Sequence, residues 1–137
     1  VRRTLKKSEI LRGRKNFDFV FKHGKKIDGK ILRCISLKSR LAARCGAGSV
    51  IFGIAVSRAV RRAVDRNRIK RLVRESYRIN KEIILPGAIE PGQILTVLFI
   101  YPPKSSRMPS VPSYRDIEED VKTILKSVTL TENNSLA

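Results

Sequence analysis

Two β-branched apolar runs, Ser49 to Ser57 (SVIFGIAVS) and Gln93 to Tyr101 (QILTVLFIY), stand on either side of one long amphipathic stretch, RAVRRAVDRNRIKRLVRESYR, residues 58 to 78. Runs of this kind read as buried strands, and the first is β-branched enough to be a central one. Between them, a helix is expected from about Arg62 to Asn80. With Arg66 at zero and 100° per residue, Ile69, Leu72, Val73 and Ser76 fall between about 240° and 340°, while Lys70, Arg74, Asn67, Arg78 and Arg71 fall between about 40° and 140°. One face is apolar and the other basic. A strand, a covering helix and a second strand make a β-α-β unit, whose crossover is right-handed in most proteins if the strands are parallel.

The other elements are weaker in the sequence. Phe17, Val20 and Phe21 share a helical face, with Asn16 as a candidate N-cap and Gly24 as a stop after Lys22 and His23. Residues 31 to 38 alternate, with Ile31, Arg33, Ile35 and Leu37 on one side and Leu32, Cys34, Ser36 and Lys38 on the other, as a half-buried strand would. Ser113 followed three residues later by Asp116 resembles a capping box, and Ile117, Val121, Ile124, Leu125 and Val128 follow it at helical spacing. The expected order is helix, strand, strand, helix, strand, helix. This is an α+β fold in which helices pack on one mixed sheet, forming a single-domain sandwich. Residues 1–128 form the domain, with its first dozen residues a basic arm ordered mainly by a partner, and residues 129–137 form a flexible tail.

Charge narrows the function. Residues 1 to 81 hold 25 basic and 5 acidic side chains, and residues 82 to 137 hold 5 and 7, so the excess of +18 belongs to one part of the molecule. That asymmetry is the footprint of a polyanion. The stretch from 58 to 78 has nine basic side chains in 21 positions and only Asp65 and Glu75 against them. A merely solvated helix mixes signs more evenly. Asp65 can pair with Arg61, and Glu75 with Arg71, one turn away. Arginine forks match phosphate oxygens, so the basic face points to nucleic acid. A membrane-surface helix is disfavoured because the apolar face is narrow, lacks Trp and is needed to cover the sheet. A leucine-zipper basic region would need heptad leucines, where this chain has Pro86 and Gly87.

Other chemistries find little support. His23 is the sole histidine and has no nucleophile or carboxylate constellation around it. Asp116, Glu118, Glu119 and Asp120 could offer magnesium two carboxylates, although acids are also favoured near a helix N-terminus. The fragment GAGSVIFG lacks phosphate-loop spacing, so no small-molecule substrate is expected. Cys34 and Cys45 read as reduced thiols, and with no run long enough to cross a bilayer the chain is expected to be cytoplasmic, without a membrane partner.

The segment Arg66-Asn67-Arg68-Ile69-Lys70-Arg71-Leu72-Val73-Arg74-Glu75 resembles the RNR signature of the protein subunit of bacterial ribonuclease P. LKKSEILRGRKNFDFVFKHGKK, residues 5 to 26, resembles that family's opening with its Phe-x-x-x-Phe helix, and GIAVSRAV, residues 53 to 60, resembles the strand feeding the signature helix. Agreement runs from about residue 5 to residue 128. The resemblance implies a ribonucleoprotein whose catalytic RNA removes the 5′ leader of precursor tRNA with magnesium bound mainly at the RNA active site. It also implies a ribosomal-protein-like fold with a left-handed β-α-β crossover, contrary to the general rule. Carried over by position, Arg66, Asn67, Arg68, Lys70, Arg71 and Arg74 would contact the catalytic RNA, with Arg58, Arg61 and Arg62 in the approach loop. Phe17, Phe21 and Ile35 would line the leader cleft. Ile35 stands where the family often has Tyr, and Arg61-Arg62 where it commonly has Gly-Asn. A ribosomal RNA-binding component and a general nucleic-acid chaperone are the competing readings.

Overall fold

The computed structural model describes residues 10–11, 13–40, 49–58, 60–84, 93–101 and 112–135, of which 39–40, 49, 93–94 and 129–135 are described by their backbone alone. Its elements are α1 (Arg14–His23), β1 (Lys25–Asp28), β2 (Arg33–Arg40), β3 (Ser49–Val56), α2 (Ala63–Asn80), a 3-10 turn (Lys81–Ile83), β4 (Gln93–Tyr101) and α3 (Tyr114–Ser135). The four strands form one mixed sheet in the order β1-β2-β4-β3. β2 pairs antiparallel with β1 and β4, whereas β3 runs parallel to β4, as the β-α-β reading requires.

β4, not β3, is the central strand of that unit, since β3 lies at the sheet's edge. The apolar character of β3 has a different cause. Its outer edge is covered by the chain's own start: the Leu11 N–H donates to the Phe52 carbonyl at 2.7 Å, and Ile10 bridges Phe52 in parallel. An edge covered in this way is protected from pairing with other chains. The arm is thus held by the protein itself at Ile10 and Leu11; residues 1–9 lie outside the described residues. Gly53 makes the covering possible, because a Cβ there would stand 3.0 Å from both Leu11 and Leu98.

Both sheet faces are packed. On one, α2 and α3 enclose the larger core, built on Phe52, Tyr77 and Phe99 with the α3 residues Ile117, Val121 and Ile124. Phe52 and Tyr77 stack at 4.5 Å with 17° between their planes, and Phe99 tilts against both. Each such side chain removed from water contributes roughly 1.5–3 kcal/mol. The apolar face of α2 is as its periodicity predicts, with Ile69, Val73 and Ser76 buried, and Tyr77 joins them. On the other face, α1 covers a smaller cluster of Val20, Ile35 and Leu98. β2 is therefore buried on both sides, with Cys34 and Ile35 facing opposite cores, where alternation predicted one solvated face.

Several local expectations shift. α1 is capped by Gly13, whose φ of 88° suits glycine, and Gly13 O accepts from both Asn16 and Phe17. Asn16 thus lies inside the first turn and is not the cap. β1 was not expected, since four residues carry too little alternation to read. Ser113 caps α3 as expected, its Oγ accepting from the Asp116 N–H at 3.3 Å. α3 then continues to Ser135, beyond the fraying point expected at residue 129. No Gly or Pro interrupts that stretch, and extending an existing helix is far easier than nucleating one.

Candidate nucleic-acid interface

α2 turns its basic residues outward because its opposite face is anchored by Ile69, Val73 and Tyr77. Arg61, Arg62, Asn67, Arg68, Arg71 and Arg74 are exposed, Lys70 is half-buried, and Arg58 is exposed just after β3. Arg68, Arg71 and Arg74 succeed one another every three residues, a rise of about 4.5 Å each along the axis. The acid that lies within this row, Glu75, is paired. Glu75 accepts from Arg78 Nη2 at 2.8 Å, in place of the expected pairing with Arg71. That hydrogen bond and charge make the Arg78 guanidinium harder to deprotonate. Among the described residues, Asp65 makes no ion pair with Arg61.

Arg66 has a different place from the rest. Its Nη1 donates to the carbonyls of Val60 and Arg61, at 2.7 and 3.0 Å, so it braces the loop that carries Arg58, Arg61 and Arg62. The family resemblance implies a place for it among the phosphate contacts, and only the folded loop brings those carbonyls within its reach.

The second surface lies on the opposite sheet face, beside α1. Phe17 is half-buried over the small cluster together with Leu11, Leu37, Ala55 and Ile100, which form a partly open apolar floor. Phe21 stands at its side, 42% exposed. Ile35 is 1% exposed and lies under α1, where a Cβ on Gly24 would collide with its Cγ2. It supports the floor from beneath and is not presented to a ligand. Leu37 shares the Ile35 side of its strand, as the alternation predicts, whereas Ala55 and Ile100 are placed on this face only once the register is known.

Two acidic residues of α3, Asp120 and Glu118, have structural partners. Asp120, only 6% exposed, accepts the N–H groups of Lys30, Ile31 and Leu32 at 2.9, 3.0 and 2.7 Å. Glu118 accepts from Tyr114 and Asn80. The Asp120 carboxylate therefore closes the β1–β2 turn, and magnesium would have to displace it from three backbone donors. Among the described residues, no group of three or more His, Cys, Asp and Glu side chains converges as a metal site, and no helix is long and apolar enough to cross a membrane.

A mixed sheet with an arginine-rich helix on one face and, on the other, a partly open apolar patch beside the aromatics of α1 defines a small α+β protein whose charge is complementary to a polyanion. The family model for Ribonuclease P matches residues 5–128, and the chain belongs to that family. It is 32% identical over 130 residues to the ribonuclease P protein component of Chlorobaculum tepidum, covering 90% of this chain and 84% of that one. It is 29% identical over 120 residues to the corresponding component of Clostridioides difficile, covering 86% and 91%. The RNase P protein from Thermotoga maritima superposes with a TM-score of 0.63 at 28% identity, covering 87% of this chain and 96% of that one. That of Staphylococcus aureus shares the fold at 21% identity, with a TM-score of 0.62 over 89% and 96% of the two chains. The chain is thus a protein component of the tRNA-processing ribonucleoprotein, part of an enzyme whose other part is RNA.

Proposed function

We propose that the exposed face of α2 seats the protein on the catalytic RNA while the cleft beside α1 holds the 5′ leader of precursor tRNA, so that the RNA removes the leader in a magnesium-dependent endonucleolytic step. The observation that carries this reading is the separation of the two surfaces. An arginine-rich helix face and a partly open apolar patch lie on opposite sides of one sheet, so two RNA segments would not compete for one surface.

Each surface suits its task. Arg68, Arg71, Arg74 and the approach-loop arginines neutralise phosphates without reading bases, which positions a folded RNA. Phe17 and Phe21 offer ring faces and edges to unpaired bases, and stacking of that kind tolerates many sequences. Holding both RNAs together raises the local concentration of the precursor at the RNA active site. Magnesium supplies its chemistry at the RNA; Asp120 does not fit a protein-borne role, because its carboxylate is already engaged by three backbone N–H groups.

The test is cleavage of precursor tRNA by bacterial ribonuclease P RNA at low magnesium, with this protein, without it, and with an equally basic control. Restoration of cleavage at the mature 5′ end by this protein alone is the expected result. Equal rescue by the control would reduce the protein to a general RNA-binding role.

A further inference from the structure

α1 bears more aromatic surface than its packing uses. Val20 is buried and Phe17 half-buried, but Phe19 is 54% exposed on a flank that does not contribute to the cleft cluster. A lone exposed Phe is ordinary on a protein surface. Phe19 is not alone: its ring centroid lies 4.5 Å from that of His23, one turn further on, with 47° between the planes. His23 is exposed as well, so the two rings form one accessible aromatic platform.

The platform's position on the helix matters. At 100° per residue, Phe19 stands about 160° around α1 from both Phe17 and Phe21. Passing over the outer side of the helix from Phe21 to Phe19, one meets Arg14, Asp18, Lys22 and Lys15, all exposed. The single acid is outnumbered three to one. An aromatic edge, a basic crown and a second aromatic edge therefore follow one another across a cylinder about 10 Å wide. Unpaired RNA presents the matching alternation of bases that stack and phosphates that seek cations.

We infer that α1 extends the leader path: a leader strand leaving the cleft past Phe21 crosses the helix over Lys22 and Lys15 and stacks a more distal base on the Phe19–His23 pair. This rests on the leader reading above and adds a second, outer stacking point specific to longer leaders. The sequence pattern of Phe17 and Phe21 does not include it, because Phe19 falls on the opposite flank.

The experiment measures binding of precursors with long, short and no leader to the holoenzyme assembled from ribonuclease P RNA and this protein. Phe19→Ala should weaken the long-leader precursor about five- to tenfold and leave the short-leader precursor unchanged, whereas Phe21→Ala should weaken both. Phe19→Tyr should retain binding and Phe19→Leu should not. A 2-aminopurine placed in the distal leader should be quenched by the wild-type holoenzyme and not by the Phe19→Ala one. Equal affinity of wild type and Phe19→Ala at every leader length overturns the outer platform. An equal loss with mature tRNA, or weaker assembly with the catalytic RNA alone, overturns it by assigning the rings to another RNA. If wild type fails to distinguish precursor from mature tRNA, the leader reading itself falls and this extension with it. Unchanged thermal unfolding of Phe19→Ala, expected for an exposed ring, separates binding from folding.

Discussion

Arg66 reaches back to Val60, its Nη1 2.7 Å from that residue's carbonyl oxygen, so the first arginine of the RNR signature holds the loop ahead of its own helix. The same Nη1 also donates to Arg61 O. Bracing of this kind orders Arg58, Arg61 and Arg62 before RNA arrives and lowers the entropy lost on binding.

Arg66→Ala should therefore lower stability by about 1 kcal/mol as well as weaken RNA binding, because a charge-assisted hydrogen bond to backbone is removed. Arg66→Lys should recover little of either, since the lysine side chain is one bond shorter than the reach to Nη1 and its ammonium is more strongly hydrated. Urea unfolding beside RNA titration checks this. An unchanged urea midpoint in Arg66→Ala would show that the bracing contributes nothing to the fold.

The side chains of Arg68 and Arg74 are exposed and, among the described residues, make no hydrogen bond. Replacing either with Ala should leave the urea midpoint unchanged and reduce the slope of log affinity against log salt by about one for each phosphate that the arginine neutralises. Affinity measured at several salt concentrations, with the catalytic RNA, reads that slope. A parallel drop with no change of slope would place the residue away from the phosphates.

Asp120 and Gly29 form a matched pair. The carboxylate lies so close over the β1–β2 turn that a Cβ at residue 29 would stand 2.5 Å from Oδ2 and 2.6 Å from Oδ1. Asp120→Ala should cost about 3 kcal/mol by orphaning three backbone donors, on exposed Lys30, half-buried Ile31 and fully buried Leu32. Gly29→Ala should also destabilise, by forcing the turn away from the carboxylate. Chemical denaturation gives both values, and neutral outcomes would mean that the turn has room to rearrange.

Burial pushes the Cys34 thiol up to about 12 from its ordinary 9.0. Native protein carrying Cys45→Ser should resist alkylation at Cys34 and react readily in urea, since at any pH below 9 the buried thiol holds roughly a thousandfold less thiolate. The sign of the stability effect follows from the raised value. Below about 9 the thiol is protonated in both states; as pH rises from about 9 to about 12, the unfolded chain ionises first and stability falls. Comparison with Cys34→Ala across that range isolates the effect from lysine and tyrosine titration, and identical pH profiles would refute it.

Much of this protein was legible in its residue order, because periodicity is local. The apolar stripe of α2 and its opposed basic face, the bounds of β4, the Ser113 cap and the five buried positions of α3 all follow from spacing within one element, and the ordered motifs reveal the family. What spacing could not supply was which elements meet. β3 and β4 have equally apolar sequences, yet β4 is central and β3 an edge, and only strand order tells them apart. Ile35 reads as a cleft residue until α1 is laid over it, and Arg66 as one phosphate ligand among many until the loop folds back within its reach. Asp120 reads as one acid in a cluster until the chain brings the turn at Gly29, some ninety residues earlier, under its carboxylate. Side-chain period depends on a residue's own backbone, whereas burial and hydrogen-bond partners depend on chain segments far away in sequence, and those are decided only when the tertiary structure forms.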